Sequence, residues 1–295
     1  MTSYHHLARP ASWWRTLLGT LFIVVTGLVV GNGGYLMVTL AAEIAGKPEV
    51  DGFPSFGPLT DLAVAFAMIA VFLPATLLAA RWFQRRPAGT LSSVAGRLRI
   101  RWLLICLGVA AVAVLSVAFL ASLPGSSPDD ATDFAGWGPF ATATIVLLLV
   151  VPVQAAAEEY VCRGWLLQSV GAWFRSPWVA ILPQAVIFGA LHGWGTPWGF
   201  ADLFIFGVVT GWLTIRTGGL EAAIALHVCN NLLGSVVAAA FGQLTIDETA
   251  ADLPWSMAAI DVAMILAYAA VILWLTRRRE RGTNAYRSLA ALASR

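Results

Sequence analysis

Six side chains able to do acid, base or donor chemistry lie in three short stretches of apolar sequence: Glu158, Glu159 and Arg163, then His192, then His227 and Asn231. An ionisable side chain in a low-dielectric medium costs about 2.5–3.5 kcal/mol on insertion scales, so it persists there only when paired, hydrated or used. On a helix Glu159 and Arg163 stand i, i+4 and can meet as an ion pair. Glu158 points about 100° away and has no such neighbour. That asymmetry leaves Glu158 as the carboxylate suited to take a proton from water, with Glu159 neutralised by Arg163. The competing reading is that both glutamates face solvent at a helix end. Phe188 and His192, and His227 and Asn231, are also i, i+4 pairs, so each pair shares one helix face. A lone intramembrane histidine is more often a hydrogen-bonded packing residue. Here the other two histidines are His5 and His6, and two imidazoles, a spare carboxylate and an amide on separate segments have convergent chemistry available.

The elements that must position these groups are membrane helices. The 295 residues are 59% hydrophobic and 12% charged, with mean hydropathy +0.77, against about 25% charged for a soluble domain. The fold class expected is all-α, a polytopic membrane helix bundle. At about 20 residues per crossing there are eight candidate spans: 17–42, 59–80, 102–123, 139–157, 178–192, 198–215, 220–241 and 257–275. The first is too long for the apolar region of a signal peptide and is expected to be retained. The loops differ in charge. Arg81, Arg85, Arg86, Arg97, Arg99 and Arg101, then Arg163 and Arg175, Arg216, and Arg277, Arg278, Arg279 and Arg281 fall on one side. Glu43, Glu49, Asp51, Asp129, Asp130, Asp133, Asp247, Glu248 and Asp252 fall on the other, with Lys47 as their one basic companion. The positive-inside rule then places both termini in the cytoplasm. Trp102, Trp178, Trp198 and Trp255 are expected at interfaces, as are Asp61, Asp202, Glu221 and Asp261 near the starts of their spans. Gly189-xxx-Gly193 and Gly207-xxx-Gly211 suit close helix packing.

There is no internal repeat or soluble domain, so residues 1–295 read as one integral membrane domain. Cys106, Cys162 and Cys229 lack metal-ligand spacing and read as small buried apolar residues. The bilayer is the expected surrounding, nucleic acid is not an expected partner, and the oligomeric state is not encoded in any motif. One conflict remains. If Glu158 sits at the edge of the fourth span and His192 at the far end of the fifth, fifteen helical residues separate them by about 22 Å, too far for shared chemistry.

The three elements resemble the Glu-Glu-xxx-Arg, Phe-xxx-His and His-xxx-Asn signatures of the CAAX-processing and bacteriocin-processing (CPBP, or Abi) intramembrane proteases, which include the type II CAAX prenyl endopeptidases. Arg163-Gly164-Trp165-Leu166, Phe206-Gly207-xxx-Gly211 and Thr217-Gly218 agree as flanks. The resemblance covers a core of about residues 139–240. Cys162 stands where the family usually has Phe, and Pro183-Gln184 replaces a small-residue stretch. The resemblance implies hydrolysis of a peptide or membrane-protein substrate from a cavity open to the cytoplasm. Glu158 and His192 would activate water, His227 and Asn231 would stabilise the oxyanion, and Glu159 and Arg163 would support the helix arrangement. Glu158, His192 and His227 are also acceptable ligands for one divalent metal, zinc, although no HExxH pair exists; a metal-free mechanism fits the same residues. Non-catalytic peptide binding and proton-coupled transport are the alternatives from other classes. A single lysine among eighteen basic residues suggests a GC-rich bacterial genome, which places the chain in the cell membrane and leaves prenylation of its substrate open.

Overall fold

The computed structural model describes residues 3–10, 12–50, 53–121, 133–245 and 250–293. Asp51, Asp129, Asp130, Asp247 and Glu248 of the acidic loops lie outside them. In chain order the helices are α1 (Trp13–Ile44), α2 (Pro58–Ala70), α3 (Phe72–Trp82), α4 (Gly89–Ser92), α5 (Ile100–Ala121), α6 (Trp137–Glu159), a π-helical turn (Tyr160–Leu166), α7 (Leu167–Gly171), α8 (Pro177–Leu191), α9 (Pro197–Thr217), α10 (Glu221–Ala240) and α11 (Trp255–Ala293). Two 3₁₀ turns, Tyr4–His6 and Ala250–Asp252, and a two-residue antiparallel pair, β1 (Glu49–Val50) with β2 (Phe53–Pro54), complete the described elements. Among the described residues seven stretches are long and apolar enough to cross a membrane, with α2–α3 counted as one and α6 through α7 as another; α8 is shorter. The chain is a multi-pass membrane protein of the all-α class.

The fourth span departs most from its expected boundary. Hydropathy falls at Ala156-Glu158, yet the helix continues to Gly171 through the π-helical turn. Glu158 is therefore inside a long helix rather than at its end. From Glu158 to Gly171 the chain advances 13 residues, about 20 Å. After the turn at Ala172–Ser176, the 15 residues of α8 return about 22 Å, alongside α7 and the π-helical turn. This hairpin brings His192 back to the level of Glu158 and removes the depth conflict. Arg163 is likewise not a loop cation: it lies within the hairpin and is fully buried.

Around the hairpin, α6 packs on α2 and α10, α10 on α5, α8 on α9, and α9 on α11. α1 rests against α2 and α3 and leaves Leu17, Leu21 and Leu28 exposed to the lipid. Gly207 and Gly211 seat α9 on α8: a Cβ at Gly207 would come 2.8 Å from the Cα of Ala185. Gly193 does not pack in this way. Its φ of +96° ends α8, and a Cβ there meets nothing within 4 Å.

Three expected interfacial residues are instead enclosed by protein. Glu221 is fully buried and accepts from the Arg99 backbone N–H (2.8 Å), Nε (2.9 Å) and a terminal guanidinium nitrogen (2.7 Å). Asp202 is buried near Asp261, which accepts from Asn230 Nδ2 at 3.3 Å. Trp102 is buried beneath the Arg279 guanidinium, 4.5 Å from its ring, whereas Trp178, Trp198 and Trp255 are exposed. In each case the neighbour that encloses the side chain is distant in sequence.

The segment before α1 fastens the tip of the hairpin. Arg9 donates to the carbonyls of Gly171, Ala172 and Phe174, the His6 ring meets Phe174 O, and buried Tyr4 donates to Leu91 O. Arg86 bridges Thr90 and Gln168 beside it, and burial pulls its guanidinium down to about 10.

Replacing Gly207 by Ala should push α8 off α9 and lower stability by about 1–3 kcal/mol, read as a lower melting temperature in detergent. Gly31→Ala, where a Cβ meets nothing, should leave stability unchanged or raise it by up to about 1 kcal/mol.

Candidate active site

The site is built from α6, the end of α8 and the middle of α10. Glu159, fully buried, is shared: its Oε1 accepts from Arg163 at 2.9 Å and from His227 Nδ1 at 2.8 Å. The remaining guanidinium nitrogens of Arg163 have no hydrogen-bond acceptor; the group lies 4.2 Å from the Phe188 ring and 5.4 Å from that of Phe206, where the ring faces attract a cation. The same two rings meet the His227 imidazole edge-on, at 5.7 and 5.2 Å. Phe188 and Phe206 thus set the positions of an arginine and a histidine together.

Glu158 is turned about 100° from Glu159 around the helix. Its Oε2 lies 3.5 Å from His227 Nε2 and 3.9 Å from His192 Nε2. That oxygen is buried and has no hydrogen-bond donor. The tautomers follow from the other nitrogens: the carbonyl of Phe188 accepts from His192 Nδ1 at 2.8 Å, and the Glu159 carboxylate accepts from His227 Nδ1. Both Nε2 atoms are then turned towards Glu158. Side-chain exposures of 18% for Glu158 and 22% for His192, against 0% for Glu159, distinguish the carboxylate that water can reach from the one it cannot.

All six residues singled out by sequence fall into one network, but Asn231 enters it indirectly. Its Nδ2 donates to Gln154 Oε1 at 3.2 Å, and Gln154 Nε2 donates to Glu158 Oε1 at 2.6 Å. Gln154 was not among the expected site residues. It carried the same signal as the others, a polar side chain inside an apolar span one helical turn before Glu158. Phe206 carried only a flank position, and its role depends on which ring faces Arg163 across the bundle. The π-helical turn begins directly after Glu159; such turns concentrate at functional sites.

For zinc the donor types fit. Ligands of a tetrahedral ion at about 2.1 Å stand about 3.4 Å apart, so the Glu158–His227 spacing matches and the Glu158–His192 spacing exceeds it by about half an ångström. Among the described residues no group of three or more His, Cys, Asp or Glu side chains is drawn together as a formed metal site. Cys106, Cys162 and Cys229 are free thiols away from any such set.

Residues 140–233, which span Glu158 through Asn231, match the family described as type II CAAX prenyl endopeptidase Rce1-like. This stretch is an Rce1-like domain. The chain is also 29% identical over 231 residues to the uncharacterized protein YyaK of Bacillus subtilis (strain 168), covering 74% of this chain and 76% of that relative. No solved structure matches it. The Rce1-like match supports a CAAX-protease type of enzyme with a peptide substrate, and the apolar helices imply a lipid bilayer.

Within the Rce1-like domain, removing one member of the buried ion pair strands the other, a loss of about 3–5 kcal/mol. Glu159→Gln and Arg163→Ala should therefore lower the melting temperature strongly, whereas Glu158→Gln should leave it close to that of the unsubstituted protein.

Proposed function

We propose that the protein is an intramembrane endopeptidase in which Glu158 is the general base. The observation that carries this reading is the Glu158 Oε2 atom, buried, without a hydrogen-bond donor and flanked by two imidazole Nε2 atoms. A water molecule held between Glu158 and His192 gives its proton to Glu158 as its oxygen attacks the scissile carbonyl. The resulting oxyanion is met by donors fixed in advance. Asn231 has two N–H groups, of which one is committed to Gln154 and the other is available to the oxyanion. His227 offers Nε2–H when its ring carries a second proton, and Glu159 supplies the negative partner for that imidazolium. Collapse of the intermediate breaks the C–N bond, and the proton held by Glu158 passes to the leaving amine.

Glu158, His192 and His227 would hold a divalent ion if one binds, and it would supply Lewis-acid polarisation and an acidified water. The 3.9 Å gap to His192 favours the residues acting without it. The basic end of the bundle, where Arg99 meets Thr217 O and Arg279 covers Trp102, is assigned to the cytoplasm by the positive-inside rule. Both termini then lie there, and the membrane is that of the cell surface.

The test is cleavage of quenched-fluorescent peptides, prenylated and unprenylated, by the purified full-length chain in detergent. Glu158→Gln and His192→Ala should abolish cleavage, and Asn231→Ala should lower it by about 10²–10³-fold, the scale of one oxyanion donor. Unchanged cleavage by Glu158→Gln would remove the general base assigned here. Exhaustive chelation should leave the unsubstituted enzyme active; loss of activity that zinc restores would instead place an ion among the three ligands.

A further inference from the structure

The Gln154 side chain is buried and makes two hydrogen bonds, one to each side of the proposed reaction centre. Its polarity is fixed by chemistry. An ionised carboxylate only accepts, so Gln154 must turn its NH2 to Glu158 Oε1 and its oxygen to Asn231. Asn231 must then turn its own NH2 towards Gln154. The amide order along Glu158, Gln154 and Asn231 is thus set by the charge at one end, and it leaves Asn231 a second N–H to donate.

The bond to Oε1 has a second consequence. With that oxygen held at 2.6 Å by Gln154, rotation of the carboxylate about its last torsion is restrained, and Oε2 stays opposite the two imidazoles. Through these two bonds one side chain reaches both Glu158 and Asn231. Because Gln154 and Glu158 are i, i+4 on α6, the clamp needs no movement of the helix to form. Asn231 comes from α10, which packs directly on α6.

We infer that Gln154 is a positioning residue of the catalytic centre, clamping the base Glu158 with its amide nitrogen and the oxyanion donor Asn231 with its amide oxygen. The two groups must act on the same scissile carbonyl, one on the water that attacks it and one on the oxygen it becomes. The amide fixes the distance between them. This inference rests on the endopeptidase reading for its catalytic meaning and on the hydrogen-bond geometry for the clamp itself.

The experiment compares Gln154→Leu, Gln154→Glu and the unsubstituted chain in the peptide assay, with melting temperature as the control for folding. Leucine keeps the volume and removes both hydrogen bonds. It should lower kcat by about 10–100-fold, the cost of a small misplacement of reacting groups, with KM little changed. Glutamate sets a second carboxylate against Glu158 and should cost more. In an Asn231→Ala background the Gln154→Leu loss should shrink, because one of the two clamped groups is already gone. A Leu variant with full kcat, or a loss that simply adds to that of Asn231→Ala, would reduce Gln154 to a packing residue. The clamp is also read without substrate, in protein labelled with ¹⁵N at glutamine side chains. The Gln154 amide signals, assigned by their absence in Gln154→Leu, should move in Asn231→Ala while those of Gln168 stay. Signals that do not move would overturn the clamp. Moving signals together with no hydrolysis by the unsubstituted chain would keep the clamp and overturn the endopeptidase reading with its catalytic role.

Discussion

A carboxylate with no access to water must be compensated by the protein, and in this chain that requirement falls on Glu159. It is fully buried in a domain whose outside is hydrocarbon. One oxygen accepts from both Arg163 and His227, which joins α6 to α10. The guanidinium is in turn buried and turned towards Phe188 on α8 and Phe206 on α9. Four helices are thereby tied to a single charge. Moving any one of them removes a contact to this buried ion pair, in a low-dielectric setting where an uncompensated charge costs several kcal/mol. The orientation of His227 comes from the same constraint, because the ring nitrogen that meets Glu159 decides which nitrogen meets Glu158.

The two adjacent glutamates therefore divide their work by direction. Glu159 points into the protein, where its Oε1 is held by Arg163 and His227 and its Oε2 is buried without a donor. Glu158 points towards the α8 end and keeps one oxygen without a donor. This difference comes from about 100° of helix rotation together with the hairpin of α7 and α8, which carries His192 back along the path α6 has just taken. The fastening of the hairpin tip by Tyr4, His6 and Arg9 and the seating of Gly207 against Ala185 hold that return path in place. Small shifts there are transmitted to the separation of His192 and Glu158, since α8 reaches the site through the turn and its packing on α7, the π-helical turn and α9.

Charges elsewhere follow the same physics without joining the site. Glu221 at the start of α10 is held by three donors of Arg99, and Asp261 by Asn230. Asn230 directly precedes Asn231, so these contacts help set the rotation of α10 that presents His227 and Asn231 to the site. The helix that carries two of the proposed catalytic groups is thus positioned by polar contacts at its start and at its middle, in a setting where apolar contacts with lipid give little orientation.

The sequence by itself determined the all-α membrane class, most of the helix positions, the Glu159–Arg163 pairing and the chemical types at the site. These depend on local composition and on i, i+4 spacing, which a single segment contains. It also carried the Rce1-like signature across residues 140–233. Tertiary structure decided the depth of Glu158, because the fall in hydropathy at the two glutamates looks the same whether the helix ends there or continues through buried polar residues. It decided that Arg163, Glu221 and Asp202 are enclosed rather than at an interface, since the groups that cover them, Phe188 and Phe206, Arg99 and Asp261, come from other segments. It also decided that Gln154 stands between Glu158 and Asn231. Hydropathy registers each residue against a solvent, whereas the identity of the group facing it across the bundle is set by packing between segments far apart in the chain, 122 residues for Arg99 and Glu221.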